Sequence, residues 1–146
     1  MRRAEPIHDF TGKLRQPGLW PYVVDYVKWQ RAVRAARRTG DRLPPLPDLV
    51  PLSINLDLTT ACNYRCDHCI DWDILNQPQK HEEQELRASL TRMAERGLKS
   101  VILIGGGEPT LYPGFPDFVG FLKSLGLQVA VVSNGSRNDK ILQAAP

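Results

Sequence analysis

Three cysteines carry the most evident chemistry in this chain of 146 residues, and all of them fall between positions 62 and 69. In Cys62-Asn63-Tyr64-Arg65-Cys66-Asp67-His68-Cys69 the thiols are separated by three residues and then by two. An odd, tightly clustered set makes a poor disulfide framework and reads instead as reduced thiolates on a metal. Thiolates bind both iron and zinc well. A four-iron cluster with only three cysteine ligands leaves one iron open to a small molecule, whereas ordinary ferredoxin clusters use four. The other reading is a zinc knot with His68, His81 or Asp67 as the fourth ligand. His68 suits zinc poorly, because adjacent residues on a tight loop point apart and Cys69 is already a ligand.

A second group of interest is Gly105-Gly106-Gly107-Glu108-Pro109-Thr110. Glycines let a backbone approach a ligand closely, and exposed carbonyls together with Glu108 suit a cationic amino group. No Gly-Lys-Ser/Thr follows, so the run is not a phosphate loop; by itself it is no more than a tight turn. Asp71 and Asp73 flank Trp72 beyond the cysteines. They read as solvated loop carboxylates, with substrate contact as the alternative. No pair of carboxylates in the sequence demands general acid–base chemistry.

These groups need a scaffold, and from residue 52 onward the apolar pattern alternates strand and helix. Leu52 to Leu58 alternates strictly, which predicts a strand with Leu52, Ile54, Leu56 and Leu58 on one face. Glu82 to Arg96 reads as a helix with Leu86, Leu90, Met93 and Ala94 on one stripe, acids early, bases late and Gly97 closing it. Val101 to Ile104 is a continuous apolar run, the pattern of a strand covered on both sides. Pro116 to Leu125 reads as a helix ended by Gly126, Leu127 to Val132 as a third strand, and a further helix begins at Asn138 or Asp139. Three βα units in succession predict a parallel sheet with helices outside it. Active groups in such folds sit at the carboxyl ends of the strands. The cysteine loop, the glycine run and Ser133-Asn134-Gly135 are therefore expected to meet on one rim.

Upstream, residues 1–18 read as an irregular arm. Trp20 to Arg38 reads as a helix with Pro21 in its first turn, Tyr22, Tyr26, Trp29 and Val33 at helical spacing, and Gly40 as its stop. Pro44-Pro45-Leu46-Pro47 and Pro51 form a stiff connector. The expected division is a basic helical extension with its connector over 1–51 and an α/β unit over 52–146. The net charge of +3 is unevenly spread, with ten basic and four acidic residues in 1–42 against nine and twelve in 43–146. The basic excess reads as a solvated helix face, with an acidic partner as the alternative and no nucleic acid expected.

Together the two motifs resemble those of the radical S-adenosylmethionine (radical SAM) superfamily. Its three cysteines, spaced by three and two residues, correspond to Cys62, Cys66 and Cys69 after the first strand. Its Gly-Gly-Glu motif after the second strand corresponds to Gly106, Gly107 and Glu108, with Pro109 behind. Ser133-Asn134-Gly135 resembles the Thr-Asn-Gly often found after the third strand, and His68 occupies a position that is usually aromatic and near the adenine. The resemblance spans roughly residues 52–146 and implies an α/β fold, the first three βα units of a partial (β/α)6 TIM-like barrel. It implies a 4Fe–4S cluster on the three cysteines, its open iron chelating the amino and carboxylate groups of S-adenosyl-L-methionine. Gly106, Gly107 and Glu108 would hold the amino group, and His68, Ser133 and Asn134 would also contact the cofactor. One electron from the reduced cluster would cleave the carbon–sulfur bond, and the resulting 5′-deoxyadenosyl radical would abstract hydrogen from a substrate. The implied partners are a flavodoxin- or ferredoxin-like electron donor and a small-molecule or peptide substrate that this sequence does not identify. A truncated non-catalytic homologue or a zinc-binding module is the alternative.

No apolar run approaches the ~20 residues that span a membrane, and the first residues lack the apolar stretch of a secretory signal. A cytoplasmic location with no membrane partner is expected. Three βα units also leave an open sheet edge and an unfilled core face, which native folds normally cover. The 146-residue chain is accordingly expected to be the front of a longer active form, and alone to be poorly stable or to aggregate. A cooperative thermal melt of the isolated chain as a soluble monomer would contradict this.

Overall fold

The alternation of Leu52, Ile54, Leu56 and Leu58 does become a strand, but a short one. In a computed structural model, which describes residues 15, 18–48, 50–78 and 81–145, β1 runs over Ser53–Leu56. It is joined by β2 (Ser100–Leu103) and β3 (Gln128–Val131) in a parallel sheet of order β1-β2-β3. The register aligns Leu56, Leu103 and Val131 across the sheet. The arm expected over residues 1–18 lies almost wholly outside the described residues. Chain contacts divide the molecule into two compact units, Met1–Leu49 and Val50–Pro146.

In the first unit, α1 (Trp20–Thr39) has a proline in its opening turn, and Gly40 at φ 74° returns its N–H to the carbonyl of Ala36. Glycine adopts this left-handed cap without the clash a Cβ would bring. Arg37 and Arg38 lie in the last turn, where the helix dipole favours cations. Of the apolar stripe, Val33 is buried while Tyr26 stays exposed. Trp29 stacks near Tyr26 at 6.0 Å and donates its indole N–H to the Pro45 carbonyl at 3.0 Å, tying the connector back to the helix.

The second unit places α2 (Glu83–Glu95), α3 (Phe115–Ser124) and α4 (Asn138–Ala144) after β1, β2 and β3. Leu90 of α2, Phe115, Phe118 and Leu122 of α3, and Val101 and Leu103 of β2 form one buried cluster with Leu56 and Leu58. Covering of β2 on both sides, expected from its apolar run, is not observed. Val101 and Leu103 are fully buried, but Ile102 and Ile104 on the opposite face are only half-buried. The apolar run therefore reflects one helix-packed face and one partly open face, on which Asn55 and Asp57 also stand.

β1 and β3 are shorter than their apolar runs and β2 is shifted by one residue; at its carboxyl end β1 is cut short by the glycine turn that follows β2. Ile104 N donates to Leu56 O at 3.2 Å, after which Gly105 and Gly106 turn away in left-handed conformations. Leu58 leaves the ladder yet stays buried, so its burial comes from helix packing and not from strand pairing.

Arg87 lies over this core, its guanidinium 4.6 Å from the Phe121 ring centroid and 5.3 Å from that of Phe118, with a 2.8 Å ion pair to Glu83. Packing dominates here. In the full-length protein Phe118→Ala should cost about 3–5 kcal/mol in urea titration, and Arg87→Ala only about 1 kcal/mol. Equal losses would show that the cation cap, and not the ring's burial, holds the helices to the sheet.

Candidate functional site

The carboxyl ends of all three strands open onto one rim, and each carries one of the groups singled out by sequence. The first is the cysteine loop, which is closed at its neck by two side chains. Asn76 donates its backbone N–H to Thr60 O at 2.8 Å and accepts the Cys62 N–H on its side-chain oxygen at 3.0 Å. Its φ of 59° makes it the one described non-glycine residue in the left-handed region, a conformation asparagine tolerates better than most. Thr60 Oγ1 donates to the Gln77 carbonyl beside it. Within the loop, Cys69 N donates to Cys66 O at 3.2 Å and Ile74 N to Asp71 O at 3.1 Å.

All three cysteines are free thiols, Cys66 exposed and Cys62 and Cys69 half-buried. The donors fit an iron–sulfur cluster in type and number, and none is consumed by a disulfide. Among the described residues no three Cys, His, Asp or Glu side chains are gathered into a single-ion site. Asp67 and His68 are exposed. His81 points elsewhere, its Nε2 at 2.9 Å from the Asp57 carbonyl oxygen, so it is not placed as a fourth ligand in a zinc knot.

The glycine run follows β2, and its glycines answer to the protein's own backbone. A Cβ on Gly107 would strike the Ala61 carbonyl oxygen, and one on Gly106, at φ 64°, would lie 2.8 Å from Thr59 O. The sequence-based reason, close approach to a ligand, thus has a second component: the run is pressed against the segment leading into Cys62. Glu108 N donates to Ala61 O at 2.8 Å and fixes that contact. Asp71, expected to be solvated, is half-buried and accepts the Gly106 N–H on Oδ2 at 3.2 Å; Asp73 is exposed as expected. Burial pushes the Asp57 carboxyl up, the charge of Asp71 adds to this, and His81 opposes it.

Glu108 joins the second rim to the third. It is 2% exposed. Its Oε1 accepts from Thr110 N at 3.1 Å, Thr110 Oγ1 at 2.6 Å and Ser133 Oγ at 2.8 Å, while Oε2 accepts from Asn134 N at 2.7 Å. A carboxylate offers about four lone-pair sites, two on each oxygen. Four donors thus meet the charge, three on Oε1 and one on Oε2. Burial pushes the Glu108 carboxyl up, but the hydrogen bonds from Thr110, Asn134 and Ser133 outweigh it and hold the group below the ordinary glutamate range. Such a depressed carboxylate stabilises the fold at neutral pH and loses that contribution as pH falls through its folded value.

The third rim reaches back to the first. Asn134 Nδ2 donates to Asn63 Oδ1 at 3.1 Å, and Asn63 Nδ2 donates to Ser136 Oγ at 2.9 Å. Glu108, Ser133 and Asn134, predicted separately, are thus directly bonded, whereas His68 is exposed. Sequence reasoning missed Asn63 and Asn76. Asn76-Gln77-Pro78 did carry a signal, since such clusters mark turns, but Asn63 carried none.

Residues 56–145 match the radical SAM superfamily. Among curated relatives, the chain is 36% identical to an S-adenosylmethionine-dependent nucleotide dehydratase of a Thermoplasmatales archaeon, over 58% of this chain and 29% of that protein. It is 32% identical to the GTP 3′,8-cyclase of Chlorobaculum tepidum, over 62% of this chain and 28% of the relative. A mycofactocin maturase of Mycobacterium tuberculosis is 30% identical over 60% of this chain and 22% of its own length. The chain spans less than a third of the length of these relatives. A match over most of the chain, on a parallel α/β unit whose cysteine and glycine motifs follow successive strands, places this chain in the radical SAM superfamily.

Proposed function

We propose that this chain forms part of an enzyme that cleaves S-adenosyl-L-methionine reductively, with Cys62, Cys66 and Cys69 holding a 4Fe–4S cluster. When bound to the three thiolates, the cluster would supply the electron for cleaving the cofactor's carbon–sulfur bond, the source of hydrogen-abstracting chemistry toward a substrate. Superfamily membership supports this reading. The observation that carries it is the direct hydrogen bonding of the cysteine loop, the glycine run and Ser133-Asn134 at one end of the sheet.

In this reading the protein's own work is holding and orienting. Gly106 and Gly107, with the adjoining carboxylate of Glu108, are the groups proposed to hold the cofactor's amino group. The ionised state of Glu108, maintained by its four internal donors, keeps that acceptor negative when the cofactor's ammonium arrives. Ser133 and Asn134 line the neighbouring rim, and His68 is proposed beside the adenine. Closure of the three described strands into a (β/α)6 barrel belongs to the same proposal, as do a flavodoxin- or ferredoxin-like donor, a small-molecule or peptide substrate and a cytoplasmic location. No described helix is long and apolar enough to cross a membrane.

Anaerobic reconstitution of the full-length protein should yield about four irons with matching sulfide at this three-cysteine site, and Ala at any one cysteine should abolish it. About one tightly bound zinc without sulfide would overturn the enzyme reading. Glu108→Ala should retain iron while weakening S-adenosylmethionine binding and cleavage by about 1.5–3 kcal/mol, or ten- to hundredfold. Gly107→Val should do at least as much, because its side chain meets the Ala61 carbonyl. Arg34→Ala in α1 should leave cleavage at the parent rate. Parent-like binding and cleavage by Glu108→Ala would reduce the glycine run to a turn.

A further inference from the structure

We propose that Asn63 is a positioning residue, which clasps the cysteine loop to Asn134 and Ser136 and thereby sets how a cluster on that loop faces the cofactor. The proposal rests on the function given above and adds to it a residue of the cysteine loop that is not one of its thiols. Asn63 directly follows Cys62 in the chain. Its Oδ1 accepts from Asn134 Nδ2 at 3.1 Å and from Ser136 Oγ at 3.3 Å, and its Nδ2 donates to Ser136 Oγ at 2.9 Å. The two partners are held to each other, since Ser136 N donates to Asn134 Oδ1 at 2.9 Å. The clasp then continues inward, because Asn134 N is fixed by Glu108 Oε2 at 2.7 Å.

These bonds join positions 71 and 73 residues apart, so no local turn produces them; they exist only once the first and third rims are side by side. The loop's neck, closed by Asn76, anchors it at Thr60 and Gln77. That anchor lies at the base. The clasp adds, directly after Cys62, a tie to the loop that follows β3, beside the one that Asp71 makes to Gly106. Asn63 is exposed, and exposed amide hydrogen bonds contribute little to global stability. A purely structural account therefore gives Asn63 a small effect on everything. A positioning account gives it a large effect on one thing, the fit between cluster and cofactor, because a misplacement of about 1 Å in a reacting pair can cost about a hundredfold.

The test uses the full-length protein, reconstituted anaerobically. Two quantities are read: the dissociation constant for S-adenosylmethionine, and the change in the reduced cluster's electron paramagnetic resonance spectrum when the cofactor is added. Asn63→Ala and Ser136→Ala should each load iron like the parent, bind the cofactor about five- to tenfold more weakly and show a diminished spectral change. Because both remove one clasp, the double variant should be within about twofold of the weaker single variant. Ser136→Thr, which keeps the hydroxyl, should behave as the parent. Should Asn63→Ala lose its iron, Ser136→Ala decides by the same two readings. Single variants with parent-like binding and spectra, or losses that multiply in the double variant, would overturn the clasp alone. A parent that takes up no four-iron cluster would overturn the function proposed above and the clasp with it.

Discussion

The buried carboxylate of Glu108 is the constraint on which the rim depends. A charge removed from water is tolerated only when its lone pairs are met by donors, and here four donors from Thr110, Ser133 and Asn134 converge on it. Those donors come from the second and third strand ends, so satisfying the charge fixes two loops at once. Loops at strand ends are ordinarily the most mobile parts of an α/β unit. In this chain the polar requirement of one side chain converts two of them into a fixed surface.

The cysteine loop is attached to that surface by a different means. It carries few apolar contacts of its own, and Tyr64, Ile70 and Trp72 are all exposed. Its order comes from backbone groups met at the edges: Cys62 by Asn76, Gly106 by Asp71, and the Ala61 carbonyl by Glu108 N. Gly107 is the condition for the last of these, since any side chain there would separate the two segments. The three thiols on this loop are exposed or half-buried while the loop's base is held.

Much of the fold was legible in the sequence. The alternation at Leu52–Leu58, the helical stripe through Leu86, Leu90 and Met93, and the glycines at 40, 97 and 126 place each element to within a few residues. The carboxyl end of β1 was not legible, because it is set by where the glycine turn breaks the ladder and not by where apolar residues stop. The apolar run at Val101–Ile104 overstated burial, since apolarity does not reveal which face of a sheet the helices cover. Among site residues, the cysteines and Glu108 were visible by type and spacing. The bonds of Asp71 to Gly106 and of Asn63 to Asn134 and Ser136 were not, because they join distant positions through ordinary polar residues. The diagnostic content of such residues lies in tertiary proximity, which spacing does not encode.

The central claim is that three thiolates leave one iron open and that the neighbouring rim presents the cofactor's amino group to it. Electron–nuclear double resonance on the reduced full-length protein, with S-adenosylmethionine labelled with nitrogen-15 at its amino group, addresses this directly. The account predicts a resolved nitrogen-15 coupling to the cluster, replaced by a nitrogen-14 pattern with unlabelled cofactor and absent when the cofactor is omitted. A reduced four-iron cluster that shows no coupling to the bound cofactor's nitrogen would contradict it.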